Sequence, residues 1–420
     1  MSFPYSFNPE THADLSDHDS FVAGPPLKTF ERMRREDPLA WCPEKDGRGF
    51  WSITRHADLM EYNRQTDLLS SARGIRIEDQ SEEEYEARKT FQETDGAEHR
   101  KIRMLMNKAF SKPMVAKYEQ QIRRIVTEIF DDVLPMGTFD ATEEIARCLP
   151  MRMLAQILGV PASDADWLVE KGDQLIANTD PEYSDFVIDK VNTEEYRMLP
   201  FRSPAAIELF DYANKQLKRI EKGEDVGILS LIMQPQKDGT QMTSPEFRNF
   251  FCLAVAAGND TTRYSIAATL HALANQKDLL PQLQAGGDDI WDTATDEFIR
   301  YAAPTMYFRR TATRDFEMHG KIVKAGDKVV MWFASGSRDE TIFPDPMKLD
   351  LTRPRNQYVS FGQGGPHVCL GMWLAKLEVK TLIQEIAARV EDITQTEQHE
   401  FLRSNFIGGV KRLPVTVKVK

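Results

Sequence analysis

Cys369 ends a glycine-rich run, Phe361-Gly362-Gln363-Gly364-Gly365-Pro366-His367-Val368-Cys369-Leu370-Gly371, and a helical pattern starts directly behind it. There Met372, Leu374, Leu377, Leu382 and Ile383 recur at roughly helical spacing. A cysteine at a helix N-terminus has its thiolate favoured by the helix dipole and by unpaired backbone N–H groups. Glycines let the chain turn those groups towards the sulfur. An anionic sulfur so held is suited to ligating a metal. Three other readings compete with that one. A lone cysteine is usually a small buried apolar residue. Structural zinc takes four ligands, and here only His367 lies near. A dinucleotide loop could begin at Gly362-Gln363-Gly364, but His367 stands where its third glycine belongs. The loop alone decides between none of them.

Further stretches place polar residues where a plain fold has little use for them. Leu253-Ala254-Val255-Ala256-Ala257-Gly258-Asn259-Asp260-Thr261-Thr262 sits inside a helical pattern running from about Glu246 to Asn275. Glycine and Asn-Asp-Thr-Thr each cost such a helix roughly 0.5–1 kcal/mol relative to alanine. A glycine can permit close helix packing, and a threonine can bond back to a carbonyl one turn earlier. The same groups could equally face a ligand. Asn259-Asp260-Thr261 also spells a glycosylation triplet, which a buried helix makes irrelevant. His99 and Arg103, four apart in a segment that starts at Gly96, share one helical face, as a solvated basic surface or as an anion grip. Glu297 and Arg300 form an i,i+3 pair that would contribute only ~0.2–0.5 kcal/mol on a surface.

The cysteine loop resembles the haem-thiolate loop of the cytochrome P-450 monooxygenases, Phe-Gly-x-Gly-x-His-x-Cys-x-Gly. The match is complete from Gly365 through His367 and Cys369 to Gly371, while Phe361 lies one residue farther from the cysteine than is common. Some bacterial members that oxidise sterol side chains and other lipids resemble this longer loop. Ala257-Gly258-Asn259-Asp260-Thr261-Thr262 resembles the family's oxygen-activation motif, and the motifs follow one another in family order.

This resemblance implies a mainly α fold with small β-sheets, one haem-binding domain over residues 1–420, and haem b carried between two helices with Cys369 as its axial thiolate. It implies that His99, Arg103, Arg310 and His367 hold the haem propionates, with Arg309 a rival to Arg310 because one residue flips the facing of a strand side chain. Asp260 and Thr261 are the implied catalytic pair, one relaying protons and the other bonding the distal oxygen. Ala257 and Gly258 leave room for oxygen and substrate, and Thr305, Met306 and Phe406 are implied at the substrate pocket. Glu297, Arg300 and Arg353 correspond to the buried cluster that holds the haem loop. The implied reaction hydroxylates a C–H bond of a steroid, fatty acyl or terpenoid compound with O2. Electrons would come from NAD(P)H through a separate reductase and an iron–sulfur ferredoxin. Arg100, Lys101, Lys108 and Lys112 would form the basic patch that meets this donor. A peroxide-driven haem enzyme and a non-catalytic haem sensor are the alternatives.

Elements must carry these residues to one place. Pro25-Pro26 opens a helix through Arg35, and Ala40–Cys42 with Phe50–Ile53 read as a hairpin around Asp46-Gly47. Ser70 to Thr94 is charged and aperiodic, and is expected to be a loop over the pocket. Val115, Tyr118, Ile122, Ile125, Ile129 and Val133 mark a long amphipathic helix. Further helices are expected at about 141–158, 161–177 and 205–221, with a broken, proline-marked stretch from Asn178 to Ser203. After Pro304 the period changes to short strands at Tyr307–Thr313, Phe316–Met318 and Val329–Phe333, with turns at Gly320 and Gly326. Ser404 to Val417 is expected to form a terminal hairpin whose tip reaches the pocket.

Composition bounds the rest. The 420 residues are 41% hydrophobic and 28% charged with a formal charge of -12, which argues against nucleic acid as a partner. Cys42, Cys148, Cys252 and Cys369 are far apart, which fits a reducing, cytoplasmic setting. Met1 to Ser20 is polar and acidic, with no apolar core of a signal or membrane anchor, and in this resembles the soluble bacterial members.

Overall fold

Thr243 and Glu246 start the longest helix, Ser244–Asn275. The threonine hydroxyl accepts the Glu246 N–H, the glutamate carboxylate accepts the Thr243 N–H at 2.7 Å, and Pro245 occupies the first turn. Its 32 residues make a rod of about 48 Å. Around it pack Cys148–Ile157, Ala165–Ile176, Ala205–Glu221 and Ile290–Ala302. The computed structural model describes residues 13–44, 47–354 and 358–420, with Lys108 described by its backbone alone. Asp46 of the expected first turn, residues 1–12 of the polar N-terminal segment and the Lys108 side chain of the basic patch lie outside the described residues.

The architecture is mainly α with small sheets. A five-stranded sheet runs Leu39–Cys42, Phe50–Ile53, Lys328–Trp332, Tyr307–Ala312, Leu69–Ser70, with Trp51 opposite Val329 in its one parallel pairing. The amphipathic stripe buries Ile122, Ile125, Ile129 and Val133 against Met372–Arg389. The single long helix expected there is broken into Lys112–Val115, a tight turn at Ala116–Tyr118, and Glu119–Val133. No helix among the described residues is long and apolar enough to cross a membrane.

Three expectations need correction. Ser70 to Thr94 contains a helix, Glu82–Arg88, because Ser81 and Glu84 form a reciprocal capping box that offsets its charge. Phe316–Met318 pairs with a strand that periodicity did not show, Lys321–Val323, across a turn in which His319 and Gly320 both take positive φ. The terminal segment is not one hairpin. Glu400–Phe401 pairs with Val410–Arg412, whereas Pro414–Val419 leaves for another sheet with Val390–Gln395 and Thr138–Asp140.

Candidate active site

The glycine run is shaped by what it packs against. Gly364 has φ +103°, and a Cβ there would lie 2.7 Å from the Met60 carbonyl oxygen; one on Gly365 would lie 1.9 Å from that of Asn63. Asn63 Nδ2 donates to the Gln363 carbonyl at 2.9 Å. The extra residue of the loop is thus taken up against the end of the helix His56–Tyr62. Phe361 stays beside the cysteine, its carbonyl accepting the Cys369 N–H at 2.8 Å.

The Cys369 side chain is open to a deep cavity rather than packed in the core. Burial in the interior pushes its thiol up, while the Gly371 N–H, the Arg103 guanidinium and the Met372 N–H pull it down. Met372–Arg389 begins at once behind it. No three His, Cys, Asp or Glu side chains cluster as a metal site among the described residues, so zinc would have no ligand set here.

Arg103, Arg310 and His367 reach the same cavity wall. Arg103 donates to the Val368 carbonyl at 2.6 Å, and Arg310 to the Arg309 carbonyl at 3.0 Å. Burial lowers the Arg310 guanidinium to about 10, with Asp95 acting against the shift, so it is cationic at neutral pH. Neither arginine forms an ion pair among the described residues, and both face a largely apolar space. Arg309 points the other way, to the Glu78 carbonyl at 3.0 Å and to Asp79 at 3.4 Å. His99 is turned from the wall: Nδ1 lies 2.8 Å from the Phe91 carbonyl and Nε2 3.3 Å from that of Pro366. Its ring lies tilted against that of His367, at 4.1 Å between ring centroids.

Asp95 was not expected at the site. It precedes the helix Gly96–Phe110, and an acid just before a helix start is the signal that could have found it. It accepts from Ser70 Oγ at 2.6 Å and from the Ser71 N–H at 2.9 Å, and lies 3.3 Å from His367 Nε2. Burial lowers His367 to about 4, so this ring is neutral near pH 7, with Nε2 within reach of both Asp95 and the Ser71 hydroxyl.

Ala257, Gly258 and Thr261 also line the cavity, from the central helix. The Thr261 hydroxyl donates to the Ala257 carbonyl at 2.8 Å. Asp260 lies on the helix's opposite face and is fully buried. Its Oδ1 accepts from Asn259 Nδ2 at 3.0 Å, and its Oδ2 has no hydrogen-bond partner among the described residues. Burial first, and the nearby Asp173 carboxylate second, push the Asp260 carboxyl well up, against the pull of Arg263. Arg263 bridges Asp173 at 3.0 Å, Tyr183 at 2.9 Å and Glu143 at 3.2 Å, and Glu143 is partly exposed. Glu143 sits on a π-type turn, Thr142–Ala146, that helical periodicity could not show.

Thr305 and Phe406 line the cavity, brought together by the Thr305–Ile407 bridge, and Met306 does not. Its side chain packs onto Gly408, whose Cβ would fall 1.9 Å from Met306 Cε. Adjacent strand residues face opposite ways.

Glu297, Arg300 and Arg353 meet away from the cavity. Arg300 binds Glu297 through Nε and Nη2, both at 2.8 Å, and Arg353 Nε lies 3.2 Å from each carboxylate oxygen. Arg300 also holds the carbonyls of Ser337 and Pro346, and Arg353 that of Pro344. Glu297→Ala leaves two buried guanidinium groups without their anion, so chemical denaturation should show a loss of about 3–5 kcal/mol. A loss below ~1 kcal/mol would mean the triad is not a structural clamp.

A cavity with an accessible sulfur at one wall, Arg103 and Arg310 beside it without ion-pair partners among the described residues, and a mostly apolar surface suits a flat, lipophilic macrocycle bearing anionic side groups. The donor set therefore fits haem.

A family model described as cytochrome P-450 matches residues 69–405. Methyl-branched lipid omega-hydroxylase of Mycobacterium tuberculosis is 31% identical over 92% of this chain and 90% of its own length. Linalool 8-monooxygenase of Pseudomonas putida is 32% identical over 97% of this chain and 99% of its own. Steroid C26-monooxygenase of Mycobacterium bovis is 30% identical over 96% and 92%. Among solved structures, a cytochrome P-450 of Mycobacterium marinum in complex with pseudoionone superposes with a TM-score of 0.87, 31% identity and 99% coverage of both chains.

Proposed function

The chain belongs to the cytochrome P-450 family and is a monooxygenase, and we propose that Cys369 is its haem ligand, with Arg103, Arg310 and His367 holding the propionates. The monooxygenase reaction breaks a substrate C–H bond and forms C–OH from one atom of O2. The other atom leaves as water, with two electrons and two protons supplied. Haem, when bound, supplies the iron at which O2 is activated, and thiolate donation favours O–O cleavage.

The observation that carries the reading is the Cys369 sulfur opening into the cavity that Thr261 lines from the opposite element. The chain's own groups then divide the work. N–H groups of Gly371 and Met372 and the Arg103 charge favour the sulfur's anion, against the burial that raises its thiol. Thr261, now bonded to the Ala257 carbonyl, turns its hydroxyl into the cavity as a donor. Asp260, its carboxyl raised by burial, stands behind it, and Glu143 gives the Arg263–Asp173 cluster its contact with solvent. His99 supports the ring of His367 rather than reaching the cavity. Gly258 and Ala257 leave space for a substrate, and Phe406, Phe308 and Ile407 give that space an apolar face. A peroxide-driven enzyme or a sensor gains no support from relatives named for monooxygenation.

The substrate is a lipophilic small molecule, as the relatives' names and the apolar wall together support. A panel of steroids, fatty acids and terpenes, titrated while the Soret band is recorded, tests this: at least one class should displace iron-bound water and shift the band. No shift with any class would remove the lipophilic assignment.

Electrons come from a ferredoxin served by a separate NAD(P)H-dependent reductase. Arg100, Lys101 and Lys112 are exposed, with the Lys112 ammonium over the Trp373 ring at 4.9 Å. Arg100→Glu with Lys101→Glu should slow reduction by a ferredoxin about tenfold at low salt, with the difference shrinking as ionic strength rises. Equal rates for the two proteins would dismiss this face.

A further inference from the structure

Arg76 stands at the far side of the cavity in an arrangement that the oxygen chemistry does not use. Its guanidinium lies over the Phe406 ring at 4.7 Å and the Phe201 ring at 5.2 Å. Nη2 is buried and has no hydrogen-bond partner among the described residues. The neighbouring arginines of this wall are engaged: Arg88 donates to Gln80 and to the Arg197 carbonyl, and Arg202 to Glu84. Glu78, two residues on, forms no ion pair with Arg76 among the described residues and lies 3.9 Å from His18 Nε2. Burial raises the Glu93 carboxyl, and its Oε2 accepts the Thr90 N–H at 3.2 Å. A guanidinium flanked by two ring faces, with Nη2 buried and unbonded, carries an unmet demand for an acceptor.

Its position adds direction. The Phe406 ring leads to Phe308 at 5.9 Å and Phe308 to Phe333 at 5.8 Å, and Phe333 Cζ lies within 3.8 Å of where a Gly362 Cβ would be. Three aromatic rings thus separate Arg76 from the cysteine loop. We propose that Arg76 anchors a carboxylate on the substrate, so that the enzyme takes lipophilic acids and hydroxylates them at the end remote from the acid group. This rests on the monooxygenase reading and narrows its substrate class. The carboxylate takes the free N–H groups of the fork, and the apolar body runs along the rings towards Thr261.

The test is calorimetric titration of the haem-loaded protein with hexadecanoic acid, a steroid carboxylate and a terpenoid acid, each against its methyl ester. For the frame that fits, the acid binds about tenfold or more tightly than the ester. Arg76→Gln brings that ratio to about one, and Arg76→Lys restores much of it. Product analysis then finds the hydroxyl far from the carboxylate. Equal affinity for acid and ester in the unmodified protein, a ratio unmoved by Arg76→Gln, or oxidation beside the acid group would each overturn the proposal. Binding of neutral compounds alone would overturn it too, while leaving the monooxygenase reading intact. That reading fails separately, if the ferrous carbon monoxide complex lacks a thiolate-type band, whatever the calorimetry gives.

Discussion

Cys369→Ala is expected to abolish monooxygenation and to remove the red-shifted, thiolate-type Soret band of the ferrous carbon monoxide complex. The effect is total because no other sulfur can substitute. Cys42 is buried beside Ser52, with burial pushing its thiol up to about 12. Cys252 is buried within the central helix, and the Cys148 thiol donates to the Glu143 carbonyl. Only Cys369 combines access to the cavity with two N–H groups and a guanidinium that favour its anion. Metal coordination of a thiol removes its proton outright, and these groups lower the cost of that step. Cys369→Ser keeps an oxygen ligand of similar size and should retain haem while losing the thiolate band. Survival of that band in Cys369→Ala would send the assignment elsewhere.

Different physical scales decided how much could be read in advance. Helices that bury one face advertise it in their period, so 205–221 and the stripe from Ile122 to Val133 were legible to within a residue or two. The functional stretch of the central helix was marked for another reason: Gly258 and Thr261 on its cavity face, and Asp260 behind it, are poor choices for a helix interior unless something needs them. Side-chain facing was not legible. Met306 and Thr305 differ by one position in an extended segment, and that step sends one into Gly408 and the other into the cavity. His99 shares a helical face with Arg103, yet carbonyls 8 and 267 residues away in sequence capture its nitrogens. Arg76 lay in a charged segment read as a loop, where nothing local marks a guanidinium that tertiary packing will leave without an acceptor.

The second large effect is expected at Asp260. Asp260→Asn keeps the size of the side chain, and an amide nitrogen can face the site where Oδ2 now lacks a partner, but it can neither hold nor release a proton in the working range. The carboxyl is the buried end of a chain of polar groups. Asp173 shares its surroundings, Arg263 binds Asp173, and Glu143 links that arginine to solvent. Burial and the Asp173 charge raise the Asp260 carboxyl, which favours its protonated form beside an Asp173 that Arg263 binds. Asp260 is the chain neighbour of Thr261, which lines the cavity. Proton transfer by a placed acid typically contributes 10²–10⁴-fold, so kcat in Asp260→Asn should fall by roughly 10²-fold at saturating substrate. The solvent deuterium isotope effect on kcat should rise. The carbon monoxide band and the substrate-induced Soret shift should stay as they are, because neither needs the proton. Thr261→Ala should act differently, consuming reducing equivalents at a near-normal rate while diverting them to hydrogen peroxide. Should Asp260→Asn turn over normally with an unchanged isotope effect, the buried carboxyl would be structural, its raised protonation a consequence of packing between Asp173 and the central helix, and the proton would have to enter from the cavity side.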